Sequence, residues 1–261
     1  MRNLLALAIL ATSGSAFAQT VSNDGSLYFS YPFPLPPARG KYQPVLALTY
    51  SSSNTRATAY GVGWSLSTTY IDASMQATYY SSGTPRTRYT LVSNGGSRLL
   101  VCVAGPCGTS VATYGGDGTP DGTYRADVAQ SYFVLAKAAN TWTAVDSVGN
   151  SFTYTCQGAT PCRRWYLSTV QDPDGNTTYY DYITEPSSCA SGVSSSTALL
   201  TGIRYDFGVG SGSTTPVHQV KLAYGSSSPE IQAINGCLVT RNQLLTGVSL
   251  YRGTAPNQTL S

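Results

Sequence analysis

The chain has 261 residues, only 10% of them charged, with 26 Gly, 20 Tyr and a formal net charge of +3. A composition rich in Tyr and Gly and poor in Glu and Lys favours strands and turns over helices. Arg163-Arg164 is the one adjacent basic pair, so no basic stripe exists to follow a phosphate backbone, which excludes nucleic acid as the expected partner.

The chain opens with a positive Arg2, an apolar run over Leu4–Ala11 and a small-x-small site at Ala16-Phe17-Ala18. This pattern predicts a secretory signal peptide over residues 1–18, cut before Gln19. The apolar run is too short to cross a bilayer as a helix, and no later run is longer. The expectation is an exported chain, periplasmic or extracellular, without a membrane span.

Gly25–Leu66 is the most structured stretch to read. Pro32, Pro34, Pro36 and Pro37 lack backbone donors, so Tyr31–Pro37 is expected as an extended connector or edge. Arg39 and Gly40 follow it. Pro44–Ser51 alternates, with Leu46, Leu48 and Tyr50 on one side and Val45, Ala47 and Thr49 on the other, which predicts a strand. Gly61 and Gly63 leave room for backbone to approach Trp64, whose ring is expected to be buried as a packing anchor.

Further strands are predicted at Arg86–Ser93, Arg98–Val103, Ser131–Lys137, Thr141–Ser147, Asn150–Cys156, Arg164–Val170, Thr177–Ile183, Ile203–Phe207, Val217–Tyr224 and Gly247–Tyr251. Turn signals separate them at Asn94-Gly95-Gly96, Asp117-Gly118, Asp121-Gly122, Gly149-Asn150 and Asp174-Gly175-Asn176. Ser187–Thr197 and Gly208–Thr215 are Ser/Gly-rich and read as loops. A short repeat recurs: Asp146-x2-Gly149-Asn150-x3-Tyr154 returns as Asp172-x2-Gly175-Asn176-x3-Tyr180, each preceded by a Trp at 142 or 165. Asp, Gly and Asn make a tight turn, and the outgoing strand presents an aromatic for cross-strand packing.

Six cysteines stand beyond the signal: Cys102, Cys107, Cys156, Cys162, Cys189 and Cys237. An even count in an exported chain favours disulfides. Many pairings are open in principle; proximity suggests Cys102–Cys107 and Cys156–Cys162, leaving Cys189 with Cys237. Zinc needs paired Cys units with His partners, and the chain has one His.

The order S-x-P-x-P-L-P-P-x-R-G, then P-V-L-A-L-T-Y-S-S, then G-V-G-W-S-L resembles the N-terminal region of SpvB and TcdB-type B components of bacterial toxin complexes, in the wider Rhs/YD-repeat group. Trp165 to Tyr182, with Asp172, Gly175 and Asn176, is similar to the same family's W-x-L-x-x-V-x-D-x-x-G-N-x-x-x-Y-x-Y segment. Ile203-Arg204-Tyr205 and Val220–Tyr224 match its later strands. Met75–Gly122 carries the likeness weakly. Ala38 stands where the family usually has Gly, and Asp72-Ala73 where it tends to place a basic residue. The resemblance implies an all-β, antiparallel, disulfide-stapled domain over residues 19–261, the first part of a hollow cocoon and truncated at its C-terminal end. It implies a non-catalytic shell role, with a downstream Rhs/YD-repeat shell and a toxin cargo as partners.

Few residues point to chemistry. His218 lies on a strand face with Val220, Leu222 and Tyr224 and reads as a packed imidazole; no G-x-S-x-G elbow supports a Ser-His-Asp triad. Asp172-Pro-Asp174-Gly-Asn176 begins like a calcium loop, but Ile183 stands where the loop needs Glu. No carboxylate pair stands out for a glycosidase. No phosphate loop, dinucleotide fingerprint or zinc-protease motif is present, so no catalytic residue, metal or cofactor is expected. The alternative function is a secreted carbohydrate-binding or adhesive β-module using Tyr79-Tyr80 or Tyr179-Tyr180. Adjacent strand residues face opposite sides, so each doublet offers one ring per face.

Overall fold

The structure is a computed structural model describing residues 18–21, 25–76, 86–93, 96–105, 121–126, 134–158, 162–189, 197–207, 215–234, 237–253 and 255–260. Every regular element among them is a β-strand, and every strand pairing is antiparallel. Cys107, Tyr79-Tyr80 and the expected turns at Asn94-Gly95 and Asp117-Gly118 lie outside the described residues.

A small sheet comes first: β1 (Ala18–Val21), β2 (Leu27–Pro32), β3 (Ala47–Ser51) and β4 (Trp64–Leu66), paired in that order. Strand β1 straddles the predicted cleavage point. The proline-rich connector leaves β2 after Pro32, and Phe33 still donates its N–H to the Leu46 carbonyl at 2.9 Å. The predicted alternation is not seen in the burial, because Ala47 on the expected outward side is covered along with Leu46 on the inward one. Leu46 and Ala47 are buried while Val45 is 56% exposed, and regular pairing starts only at Ala47.

Eight strands then close on themselves. They are β5 (Tyr70–Gln76), β6 (Arg86–Ser93), β7 (Gly96–Ala104), β8 (Gly122–Ala126), β9 (Val134–Ala138), β10 (Thr141–Val145), β11 (Ser151–Cys156) and β12 (Arg164–Gln171). Each pairs with the next, and β12 returns to β5 through Arg164–Asp72, Trp165–Ile71 and Tyr166–Tyr70. The result is an up-and-down barrel, which removes its own edges. Small-barrel interiors are filled by side chains, and here the filling is aromatic. Trp142 and Trp165 are fully buried. The Trp142 ring lies 4.9 Å from Tyr89 and from Tyr124 and 6.1 Å from Trp165, mostly edge to face. The Trp165 indole N–H donates to Asn140 Oδ1 at 3.2 Å.

The sheet runs on past β12 through β13 (Thr177–Thr184), β15 (Ala198–Phe207), β16 (Pro216–Ile234) and β17 (Cys237–Arg252), with β14 (Ser187–Cys189) and β18 (Ala255–Leu260) also pairing with β17. Here inward residues alternate with polar outward ones. Ile203, Tyr205, Val220, Leu222, Val248 and Leu250 meet Phe33, Leu46 and Leu66 from the small sheet in a second core. The barrel passes into the second layer through the β12–β13 pair, and Tyr180 of β13 packs against both cores.

Several expectations need correction. Trp64 is half-buried and belongs to neither core. Its ring stacks between Phe29 at 5.9 Å and Tyr50 at 5.3 Å, because the small sheet is only three residues deep at β4. Ser187–Cys189, read as loop, is a strand, since its backbone completes the edge of β17. Strands β16 and β17 run far beyond the predicted Val217–Tyr224 and Gly247–Tyr251. Within β16 the ladder shifts register between Ser226 and Glu230, where Pro229 costs no ladder bond. Asp121-Gly122, read as a turn, opens β8 at Gly122; a Cβ there would lie 2.9 Å from the Ala104 carbonyl oxygen.

Candidate functional site

The sequence-predicted residues Arg39, Gly40, Asp172, Gly175 and Asn176 meet in one place, although more than 130 positions separate the two groups. The loop after the proline connector is held by two buried aspartates, Asp172 in the turn between β12 and β13 and Asp206 near the end of β15. Arg39 donates its N–H to Asp206 Oδ1 at 2.9 Å, and Lys41 donates its N–H to Asp172 Oδ2 at 2.9 Å. Gly40 lies between. Its backbone is not left-handed; the requirement is space, because a Cβ would overlap Asp172 Oδ2 and lie 3.0 Å from Asn176 Nδ2. Upstream, Pro36 accepts a 2.9 Å bond from the Tyr205 hydroxyl, and Ala38 N–H donates to Gln43 Oε1 at 2.7 Å.

Asp172 is 4% exposed and organises its own turn. Its Oδ1 accepts from the N–H groups of Asp174 (3.0 Å) and Asn176 (2.9 Å), and its Oδ2 accepts from Asn176 Nδ2 (2.9 Å). Burial opposes its charge, but the donors from Asn176, Lys41 and Asp174 outweigh that and hold the carboxyl below the ordinary aspartate range. Gly175 takes φ +87, the left-handed conformation this turn needs. The earlier repeat is built alike: Asp146 Oδ1 accepts from Val148 and Asn150 N–H groups at 3.0 and 2.8 Å. The two turns abut, since a Cβ on Gly149 would lie 3.0 Å from Pro173 Cγ.

Asp206, 6% exposed, is the partner sequence reading missed. It takes φ +55, unusual for a residue with a side chain. That backbone lets Asp206 face the loop beside Tyr205, while Phe207 turns outward to meet Tyr179 at 5.2 Å. Asp206 Oδ2 accepts from His218 Nδ1 at 2.9 Å, and the imidazole lies 5.2 Å from the Tyr205 ring. A carboxylate on Nδ1 fixes the proton there in the neutral ring. His218 is thus a packed imidazole in a structural bond. Among the described residues no serine, threonine or cysteine is hydrogen-bonded to it, so the geometry is a dyad serving a loop.

The Gly-x-Gly-Trp corner is a separate device. Gly61 and Gly63 take φ +107 and +81. A Cβ on Gly63 would lie 2.5 Å from the Tyr50 ring. Thr58 Oγ1 donates to the Trp64 carbonyl at 2.7 Å and closes the corner.

Between barrel and sandwich lies a cavity of ≈ 130 Å³ lined by Tyr42, Thr68, Leu167, Tyr180, Tyr182 and Ile203, among others. The Tyr42 and Tyr180 hydroxyls bond at 2.8 Å, and Tyr182 donates to the Leu167 carbonyl at 2.9 Å. Burial pushes the Tyr180 and Tyr182 hydroxyls well above their usual range, so both stay neutral donors. Glu185 is raised by burial, against the pull of Arg241 at 3.3 Å and of Arg164. Asp72 receives Arg164 through two bonds of 3.3 and 3.1 Å and ties β5 to β12 where the barrel closes. Cys156–Cys162 and Cys189–Cys237 are disulfides, the second fastening β14 to the start of β17. Cys102 is also disulfide-bonded. Among the described residues no three metal-ligating side chains gather, and no helix is long and apolar enough to cross a membrane.

A closed barrel continuous with a sandwich, with its polar signature turned inward and self-bonded, defines an antiparallel β-scaffold. Its likeness is to SpvB and toxin-complex B components. Residues 21–83 match the family model described as Salmonella virulence plasmid 65kDa B protein, SpvB. The fold is similar to the N-terminal domain of effector protein SpvB from Salmonella typhimurium strain LT2, with TM-score 0.60 and 18% identity, covering 85% of this chain and 87% of that one. It is similar to TcdB2-TccC3-TEV, with TM-score 0.62 and 16% identity over 94% of this chain. The Photorhabdus luminescens Tc holotoxin pore matches at TM-score 0.62 and 14% identity over 90% of this chain. The chain spans only 14% of the TcdB2-TccC3-TEV chain and 13% of the holotoxin chain. No curated protein matches the sequence.

Proposed function

We propose that residues 19–261, exported behind a signal peptide over residues 1–18, form a non-catalytic wall segment of a secreted toxin-complex-like shell that encloses a toxic polypeptide. The observation that carries this reading is the clamp. Asp172, Asn176, Asp206 and His218 spend their polar groups on one another and on the loop backbone, with Gly40 leaving the room for Asp172 to approach. Residues that match the family's signature therefore stiffen a wall instead of facing a substrate. The similarity to TcdB2-TccC3-TEV over nearly the whole chain supports the same reading. Protease protection tests it. The exported product of the gene is purified and digested natively, then again after mild denaturation. A shell yields an enclosed polypeptide that resists protease until the wall is opened. Equal sensitivity in both states overturns the reading.

A further inference from the structure

We propose that the outward face of β13, β15, β16 and β17 binds an acidic oligosaccharide. This face lies opposite the second core. It is not a bare polar surface, because rings and cations are set along it in register. Pairing places Tyr179 beside Arg204, Arg204 beside Gln219, and Gln219 beside Tyr251. Two tyrosines thus stand at the ends of a row three strand spacings long, about 14 Å. Next to this row, Asp181, Gly202, Lys221 and Ser249 form another. Gly202 carries no side chain, and the Asp181 carboxylate lies over it, 3.4 Å from where its Cβ would be.

The groups along the row fit a sugar acid. Tyr179 is 37% exposed, and its neighbour Tyr180 is turned inward, so one ring of the doublet is available. Rings accept the apolar face of a pyranose and cost little conformational entropy when they do. Arg204 stands 5.3 Å above the Tyr179 ring and Lys221 Nζ 4.6 Å above the Tyr251 ring. Asp181 holds the Arg204 guanidinium through two 2.7 Å bonds from Nε and Nη2, which fixes its plane. Lys221 is exposed and has no carboxylate within ion-pair distance among the described residues. The two rows together carry two cations against one carboxylate, with an amide at Gln219 and a hydroxyl at Ser249. A uronate-type carboxylate suits Lys221, and ring hydroxyls suit Asp181, Gln219 and Arg204. A folded acidic protein would bring no flat ring faces for both tyrosines.

Calorimetric titration of the full chain tests this, with a hyaluronan hexasaccharide as the acidic probe and cellohexaose as the neutral one. Hyaluronan binds, and cellohexaose binds at least about tenfold more weakly, the loss of one charge-assisted contact. Tyr179→Ala and Lys221→Ala each weaken hyaluronan about tenfold. Lys221 is exposed, so its variant leaves the melting curve unchanged; Tyr179→Ala also loses the ring contact with Phe207, so its binding is read on protein shown to be folded below its own melting transition. Arg125→Ala, an exposed cation on the barrel, leaves binding as it is. Absence of binding to both saccharides overturns the proposal. So does hyaluronan binding that Tyr179→Ala leaves intact or that polyglutamate matches, since charge alone would then explain it.

Discussion

Gly40→Ala is the smallest change that reaches the clamp. The new methyl would occupy the place of Asp172 Oδ2 and lie 3.0 Å from Asn176 Nδ2, neither of which can withdraw. Asp172 is fixed by Asp174 and Asn176, and Asn176 by Asp172. The loop must lift, losing the Lys41 N–H bond to the carboxylate and straining the Arg39 N–H bond to Asp206. One bond to a charged group is worth about 1.5–3 kcal/mol, so the expected loss is about 2–4 kcal/mol. Urea unfolding of the exported chain, followed by tryptophan fluorescence, measures it. Gly247→Ala is the control. No atom lies within 4 Å of its Cβ position, so it should be neutral or stabilising by up to about 1 kcal/mol. In an Asp172→Ala background the Gly40→Ala penalty should shrink, because the overlapped oxygen is gone. A Gly40→Ala midpoint within about 0.5 kcal/mol of wild type would refute the clamp.

Asp172→Asn should destabilise the chain at neutral pH. The lowered carboxyl contributes stability above the ordinary aspartate range, and this is lost as pH falls through its own lower value. Variant and wild-type urea midpoints should therefore converge in strong acid. Trp142→Ala, at the centre of the barrel, should cost about 3–5 kcal/mol, and Trp64→Ala about 1–3 kcal/mol because its ring is half-buried; denaturant midpoints of the two variants give the order directly. Replacing Cys189 and Cys237 together with Ser should cost about 4 kcal/mol on the chain-entropy model. The Cys156–Cys162 pair should cost about 2 kcal/mol. The difference follows from sequence separations of 48 and 6, and melting of the two double variants checks it.

Where local pattern decides structure, the sequence was readable. Arg86–Ser93 is β6 to the residue, because its ends are marked by turn residues and its interior alternates. The Asp-x2-Gly-Asn turns were legible for the same reason: their bonds are local. The clamp was half legible. Arg39, Gly40, Asp172, Gly175 and Asn176 drew notice through family likeness, but their meeting is a long-range contact with no local signal. Asp206 was invisible, since its role depends on a left-handed backbone at the end of β15 that only the neighbouring loop makes worthwhile. Strand β5 was missed because Asp72 looks out of place in a strand until Arg164 is seen across the barrel seam. Trp64 misled for a different reason. A ring beside two glycines has room to be buried, yet the thin small sheet cannot bury it.

The central claim is that these residues are part of a wall. A cryo-electron-microscopy map of the complete exported gene product tests it most directly. The account predicts a closed hollow particle in which the barrel and sandwich of residues 19–261 are continuous with neighbouring β-sheet and border an internal cavity. A map in which these residues stand as a separate compact domain on a flexible tether, bordering no cavity, would contradict it.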